Sequence, residues 1–161
     1  IYGGGRKRND VPLEDAFFEA IAFFEDLIPR IEDHGTIFCF EPLGPADSDF
    51  VNSVHDSMRI AEAIDHPALA VQLDAKALVD NDELDFQTVA VAKSRLVHVH
   101  ANEPGLGVLG GSGDVDHGAL GGYLNAIGYD EYVSIEQRML RENDPISDLS
   151  ESVRVLKDCY K

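Results

Sequence analysis

Tryptophan is absent from the 161 residues, cysteine and methionine occur twice each, and 13 basic residues face 30 acidic ones. The shortage of Lys and Arg leaves a formal net charge of −17. That charge argues against nucleic acid as a partner, because phosphate binding needs a basic face. No apolar run approaches the roughly 20 residues of a membrane span, and no signal-peptide pattern is present, so no membrane role is expected. Cys39 lies in a strand-like run and Cys159 in a helix-like one. Two such residues make no disulfide framework. They read as free, partly buried thiols of a reducing compartment, and the expected location is cytoplasmic.

Hairpin signals are missing too. Helical periodicity covers Pro12–His34, with Asn9 or Asp10 as cap and Pro29 as a kink, then Phe50–Ile64, Leu84–Lys93, Gly118–Ile127 and Pro145–Tyr160. Asp80-Asn81-Asp82 is the expected cap of the third, and Asp144 with Pro145 opens the last. Between them lie apolar β-runs, preceded by a strand end at Ile1-Tyr2 that opens into Gly3-Gly4-Gly5. Strands alternating with helices predict an α/β fold with a parallel sheet. The chain begins without Met, as if inside a strand, and is read as one domain, residues 1–161, of a longer protein.

Four runs end on a side chain able to bind metal: TIFCFE on Glu41, LAVQLD on Asp74, RLVHVH on His100 and EYVSIE on Glu136. They recur about every 32 residues, the period of a (β/α)8 TIM barrel, in which roughly 250 residues cover eight units. Phase points the same way. Residues two before each terminal group are Cys39, Gln72, His98 and Ser134, small or polar, whereas the opposite phase (Phe38, Phe40, Val71, Leu73, Val97, Val99, Val133, Ile135) is apolar. A doubly wound sheet is apolar on both faces; a barrel can gather polar groups at its C-terminal mouth. The expectation is the second half to five-eighths of a barrel.

One strand-terminal carboxylate ordinarily caps a helix or bonds a loop. Four such ends on successive units point to a shared cation, because like charges a few ångströms apart demand one. Three carboxylates and one imidazole suit Mn²⁺, Mg²⁺ or Co²⁺, with Zn²⁺ less favoured. His100, at the strand end and level with the carboxylates, is preferred over His98, which reads as a hydrogen-bonded histidine one layer below.

The stretches FEPLGP, QLDAKAL, HVHANEPGLG, GGSGDVDHGAL and GYDEYVSIE resemble the xylose isomerase-like barrels, in particular the sugar phosphate isomerase/epimerase family, over nearly the whole chain. The resemblance implies the stretch from the end of strand 4 to helix 8. It implies one divalent ion on Glu41, Asp74, His100 and Glu136, a carbohydrate substrate, and proton transfer beside a carbonyl through a metal-stabilised enediolate. Glu41 and Glu136 are the implied acid/base pair. Many relatives place a His three residues after the Asp; here that position is Ala77. An endonuclease IV-like activity would need more His ligands and a less acidic chain. The non-catalytic alternative is a half-barrel acting as a binding module, whose open sheet edges would favour association, and a homo-oligomer is compatible with either reading.

Further candidates surround these four. Lys76 can project into the mouth as an anchor or sit solvated on a loop. Arg6 and Arg8 can hold an anionic group, Asn102 and Glu103 can line the pocket, and Arg138 can anchor substrate or balance the acids. The Gly-rich run from Pro104 to Gly113 lacks the Lys-Ser/Thr of a phosphate-binding loop and reads as a mobile flap over the mouth.

Overall fold

The computed structural model describes residues 7–161, so the expected strand end at Ile1-Tyr2, the three glycines after it and Arg6 lie outside the described residues. Four strands, β1 (Phe38–Phe40), β2 (Leu69–Asp74), β3 (Leu96–Ala101) and β4 (Tyr132–Ile135), pair in chain order and are all parallel. Parallel neighbours need crossovers, which helices supply here. Helix α1 (Leu13–Ile31) precedes β1, and α2 (Val54–Ile64) joins β1 to β2. Helices α3 (Ala75–Asp80) and α4 (Phe86–Ala92) join β2 to β3. Helix α5 (His117–Ile127) joins β3 to β4, and α6 (Pro145–Cys159) follows β4. Among the described residues no helix is long and apolar enough to cross a membrane.

One face of the sheet is sealed by these helices. Phe24 of α1 stacks edge-on against Phe38 and Phe40 of β1 at ring-centroid distances of 5.6 and 5.5 Å. Val71, Leu73 and Val99 are fully buried against Val54, Met58, Val89 and Leu120 of α2, α4 and α5. Each such side chain contributes about 1.5–3 kcal/mol by leaving water. The helices therefore cover the apolar phase that alternation predicts, and the polar phase faces the other way.

The local detail departs from expectation in four places. Helix α1 starts at Leu13 with Pro12 at its cap position and no side-chain cap, so neither Asn9 nor Asp10 serves. Helix α2 starts three to four residues late, because Ser53 and Asp56 form a reciprocal capping box there. Asp85, rather than the 80–82 run, caps α4, and residues 75–80 form the unforeseen short helix α3. Finally, a register shift lies between β2 and β3: Val71 pairs with Leu96, but Gln72 pairs with His98. This bulge inserts Val97 without a partner. Leu96 turns into the helix-side core, and Val97 lines a cavity with Cys39 and His98 instead of joining the apolar face.

Two adjacent glycines in α5 test the packing of the last helix. A Cβ on Gly121 would stand 2.0 Å from the Cys159 carbonyl oxygen, whereas one on Gly122 would meet nothing within 4 Å. Gly121→Ala is therefore expected to destabilise by about 1–3 kcal/mol through overpacking. Gly122→Ala is expected to be neutral or to stabilise by up to about 1 kcal/mol through helix propensity. Thermal melts of both variants check this, at about 2–4 °C per kcal/mol.

Candidate metal centre

The four strand ends converge, but on a stagger. The last β1–β2 pair is Phe40 with Val71, so Glu41 stands beside Gln72. Asp74 and His100 are direct partners. The last β3–β4 pair is Ala101 with Ile135, so Glu136 stands beside Asn102, with its backbone N–H donating to the Ala101 carbonyl at 3.0 Å. His100 is therefore level with Asp74 alone, contrary to the expected single tier. The longer Glu side chains span the difference from one layer below and one above.

The convergence point is His100 Nδ1. Glu41 Oε1 lies 3.1 Å from it, and Asp74 Oδ2 and Glu136 Oε2 each lie 3.7 Å away. Glu41, Asp74 and His100 each offer a donor atom, all within 4.8 Å of one another. That spread fits ligands around one ion at roughly 2.0–2.3 Å each. Glu41 and Asp74 are buried, and the Glu136 side chain is 44% exposed. The donor set, oxygen-rich with one imidazole nitrogen, fits a divalent cation.

Two amides hold the carboxylates at their own levels. Gln72, fully buried, donates from Nε2 to Glu41 Oε1 at 2.5 Å and stands 3.0 Å from His100 Nδ1. Its Oε1 has no partner among the described residues. Asn102 Nδ2 donates to Asp74 Oδ2 at 2.6 Å and to Glu136 Oε2 at 2.8 Å, while its Oδ1 accepts from the Lys76 backbone at 2.8 Å. Such outer contacts orient ligands. Phase alone marks Gln72 as inward and polar, but not what it touches. Asp74 serves as the helix cap that a strand-terminal carboxylate ordinarily makes, since its Oδ1 accepts from Ala77 N–H at 2.8 Å at the start of α3, while its Oδ2 faces His100 Nδ1.

Electrostatics at His100 are set by opposing effects. Burial would lower the imidazole's pKa, but hydrogen bonds to Asp74 and Glu41, with the charges of Glu41 and Glu136, outweigh it and raise it to about 9. His98 stacks edge-on against His100 at 5.3 Å, and burial holds its pKa below the usual range. Burial likewise pushes the free Cys39 thiol up.

An open cavity of about 470 Å³ is lined by Glu41, Asp74, Lys76, Asn102, Glu136 and Arg138 among others. Lys76 sits on α3 rather than a loop. Its ammonium group is held by Asp80 at 2.8 Å and by Asp47 at 2.9 Å. Burial opposes its charge, yet these two carboxylates raise its pKa. Sequence order hid that pairing, since Asp47 lies in the loop after β1. Arg138 is exposed at the rim, with its backbone N–H on the Leu106 carbonyl at 2.9 Å. Two expected pocket residues go elsewhere. Arg8 lines a separate groove of about 450 Å³ beside Phe23 and Phe24, where its guanidinium donates to the Val11 carbonyl at 2.7 Å. Glu103 is wholly buried, with both carboxylate oxygens engaged inside the protein by Gly110, Ser112 and His117.

A family model described as xylose isomerase-like TIM barrel matches residues 2–159, and the chain belongs to that family. Three solved sugar epimerases share its fold. D-psicose 3-epimerase from Clostridium cellulolyticum H10, crystallised with D-tagatose, matches with a TM-score of 0.85 and 19% identity over 95% of this chain and 59% of that one. L-ribulose 3-epimerase matches with a TM-score of 0.83 and 19% identity over 97% and 61%. 3-Keto-D-glucoside 4-epimerase from E. coli, in its apo form, matches with a TM-score of 0.80 and 25% identity over 94% and 57%. The chain thus spans 57–61% of the length of these three structures.

Divalent-ion binding should follow His100. An ion can take Nδ1 only after its proton leaves, so Mn²⁺ affinity is expected to rise about tenfold per pH unit from pH 6 and to level off above about 9. Calorimetry in buffers of different ionisation enthalpy reads the released proton. Without metal the sign reverses. A pKa raised from 6.5 to about 9 gives stabilisation that is complete below pH 6.5 and lost as pH climbs through 9. Denaturation midpoints in excess chelator should fall across that window.

Proposed function

We propose that the protein to which this chain belongs is a divalent-metal-dependent isomerase or epimerase of a sugar or sugar phosphate, working by proton transfer beside a carbonyl. The observation that carries this reading is the meeting of Glu41, Asp74 and Glu136 around His100 Nδ1 at the ends of four adjacent parallel strands. Membership of the family and the likeness to three sugar epimerases support it.

Glu41, Asp74, His100 and Glu136 are the residues that would hold the ion. When bound, it supplies Lewis-acid polarisation of a substrate carbonyl and neighbouring hydroxyl, which acidifies the intervening C–H. The proton itself falls to the chain's own carboxylates. Glu41 extends from β1 and Glu136 from β4, the two outer strands of the sheet among the described residues, so they reach a sugar in the cavity from opposite sides. One takes the proton and the other returns it, which inverts a stereocentre. Return by the same group to the neighbouring carbon gives isomerisation instead. Asn102, bonded to both Asp74 and Glu136, keeps the latter within reach without adding charge. Lys76, paired with Asp47 and Asp80, lines the same cavity and is oriented by those partners to meet substrate oxygens.

Glu41→Gln and Glu136→Gln in the full-length protein are each expected to lower kcat by about 10²–10⁴, the usual contribution of a positioned acid or base. His100→Ala should abolish Mn²⁺ binding in calorimetry. Retained turnover of a ketose panel in both Gln variants would sink the proposed roles.

A further inference from the structure

Glu103 is a carboxylate with no exposure at all, three residues past His100 and outside the set that meets the proposed ion. A buried charge is strongly disfavoured unless its oxygens are engaged, and here both are. Oε1 accepts from the Gly110 backbone N–H at 2.7 Å and lies 3.1 Å from His117 Nε2. Oε2 accepts from the Ser112 hydroxyl. His117, buried at the start of α5, has its other ring nitrogen 2.7 Å from the Tyr160 hydroxyl just past α6. Two of the three bonds thus end on the Gly-rich loop 104–113, and the third braces Glu103 against the scaffold.

The loop is in turn the backbone partner of the segment carrying Glu136. Leu106 N–H donates to the Glu103 carbonyl at 2.8 Å, and the Leu106 carbonyl accepts from Arg138 N–H at 2.9 Å. Leu106 holds φ at +56°, a conformation uncommon for any residue but glycine and kept only where neighbours enforce it. Further along, Leu109 N–H donates to Ser152 Oγ at 3.0 Å, and that hydroxyl donates to Gln137 Oε1 at 2.5 Å. Residues 137 and 138 are therefore both tied to the loop, directly or through Ser152, while the half-buried Glu136 side chain between the strand and these ties lines the cavity. The Gly-rich loop, expected to be a mobile flap, is tied to the interior through the buried Glu103.

We propose that Glu103 is a positioning residue for the reaction: its carboxylate fixes loop 104–113 and, through Leu106 and Ser152, sets the placement of Glu136 and Arg138 at the mouth. The proposal rests on the sugar isomerase/epimerase reading for what that placement serves. A misplacement of about 1 Å at an acid/base group is enough to cost on the order of a hundredfold in rate.

The test compares Glu103→Ala with Glu103→Gln in the full-length protein. A Gln keeps the acceptor for Gly110 and His117 and can donate to the Ser112 hydroxyl, so it preserves the anchor without the charge. Three readouts are taken: Mn²⁺ affinity, hydrogen exchange with and without Mn²⁺, and ketose turnover with D-allulose and D-fructose. Glu103→Ala is expected to weaken Mn²⁺ binding by about 10–100-fold, because the displaced Glu136 is itself one of the proposed ligands. It should also show faster exchange at residues 104–113, lose the Mn²⁺-induced protection of residues 132–140, and drop at least about tenfold in kcat with a smaller change in KM. Glu103→Gln is expected to restore all of these, and Ser112→Ala to fall between. Unchanged exchange in Glu103→Ala, or equal impairment of the Ala and Gln variants, would overturn the proposal. If the parent turns over neither ketose, the assignment of reaction fails for these sugars, while the exchange and Mn²⁺ measurements still decide the anchor.

Discussion

Three carboxylates crowded around one imidazole nitrogen is the arrangement on which the rest of this structure depends. Left to themselves, the carboxylates would separate, since mutual repulsion and lost hydration each cost several kcal/mol. The sheet does not let them. Each is the last side chain, or the next after it, on a parallel strand whose other face is packed under helices, through Phe40, Leu73 and Val133. The apolar phase of each strand fixes the pointing of its polar phase, so the core is what holds the charges together. The raised pKa of His100 is the electrostatic signature of that compression.

The stagger of the strands decides how the crowding is managed. Because neighbouring strand ends are offset, each glutamate has an uncharged amide beside it: Gln72 beside Glu41, and Asn102 beside Glu136. An amide satisfies a carboxylate without supplying a full counter-charge, which leaves the centre short of positive charge and disposed toward a cation. The lysine nearest the cavity does not fill that deficit, since Asp47 and Asp80 already claim it. The same economy of position extends outward, where Glu103 and Ser152 tie the Gly-rich loop to the strand end that follows it. A centre assembled from the tips of separate strands needs such ties, because nothing within a single strand fixes the spacing of one tip from the next.

Much of this was open to reading in the chain alone. The alternation of strands and helices, the parallel pairing and the four marked strand ends follow from periodicity. Side chains two apart on a strand share a face, and that rule placed Gln72, Asp74, His98 and His100 on the inner side. It failed at Val97, where a bulge between β2 and β3 breaks the phase, and a bulge has no signature in a run as uniform as LVHVH. It failed also for helix α3, six residues long and capped by the same Asp74 that faces the centre. Glu103 and Arg8 misled for a different reason. Glu103 directly follows the pocket residue Asn102, yet neighbouring residues can point to opposite sides of a wall, and Arg8 lines the groove beside Phe23 and Phe24.

The sequence by itself determined the class of fold, its family, and the identity of the four groups brought to one end of the sheet. These are consequences of local pattern: a period of two along strands, a longer period of helices between them, and short motifs at the joints. The tertiary structure alone decided the offsets between strands, the amide assigned to each glutamate, the capture of Lys76 by Asp47 and Asp80, and the anchoring of the loop by Glu103. Those depend on register and on which side chains meet, which chain order does not encode one residue at a time. The partners stand 29 to 43 positions apart in Lys76–Asp47, Gln72–Glu41 and His117–Tyr160, and 7 to 14 apart in the contacts of Glu103. A run that stops on Glu41 announces that a carboxylate reaches the mouth; which atoms it meets there is settled by the neighbouring strand.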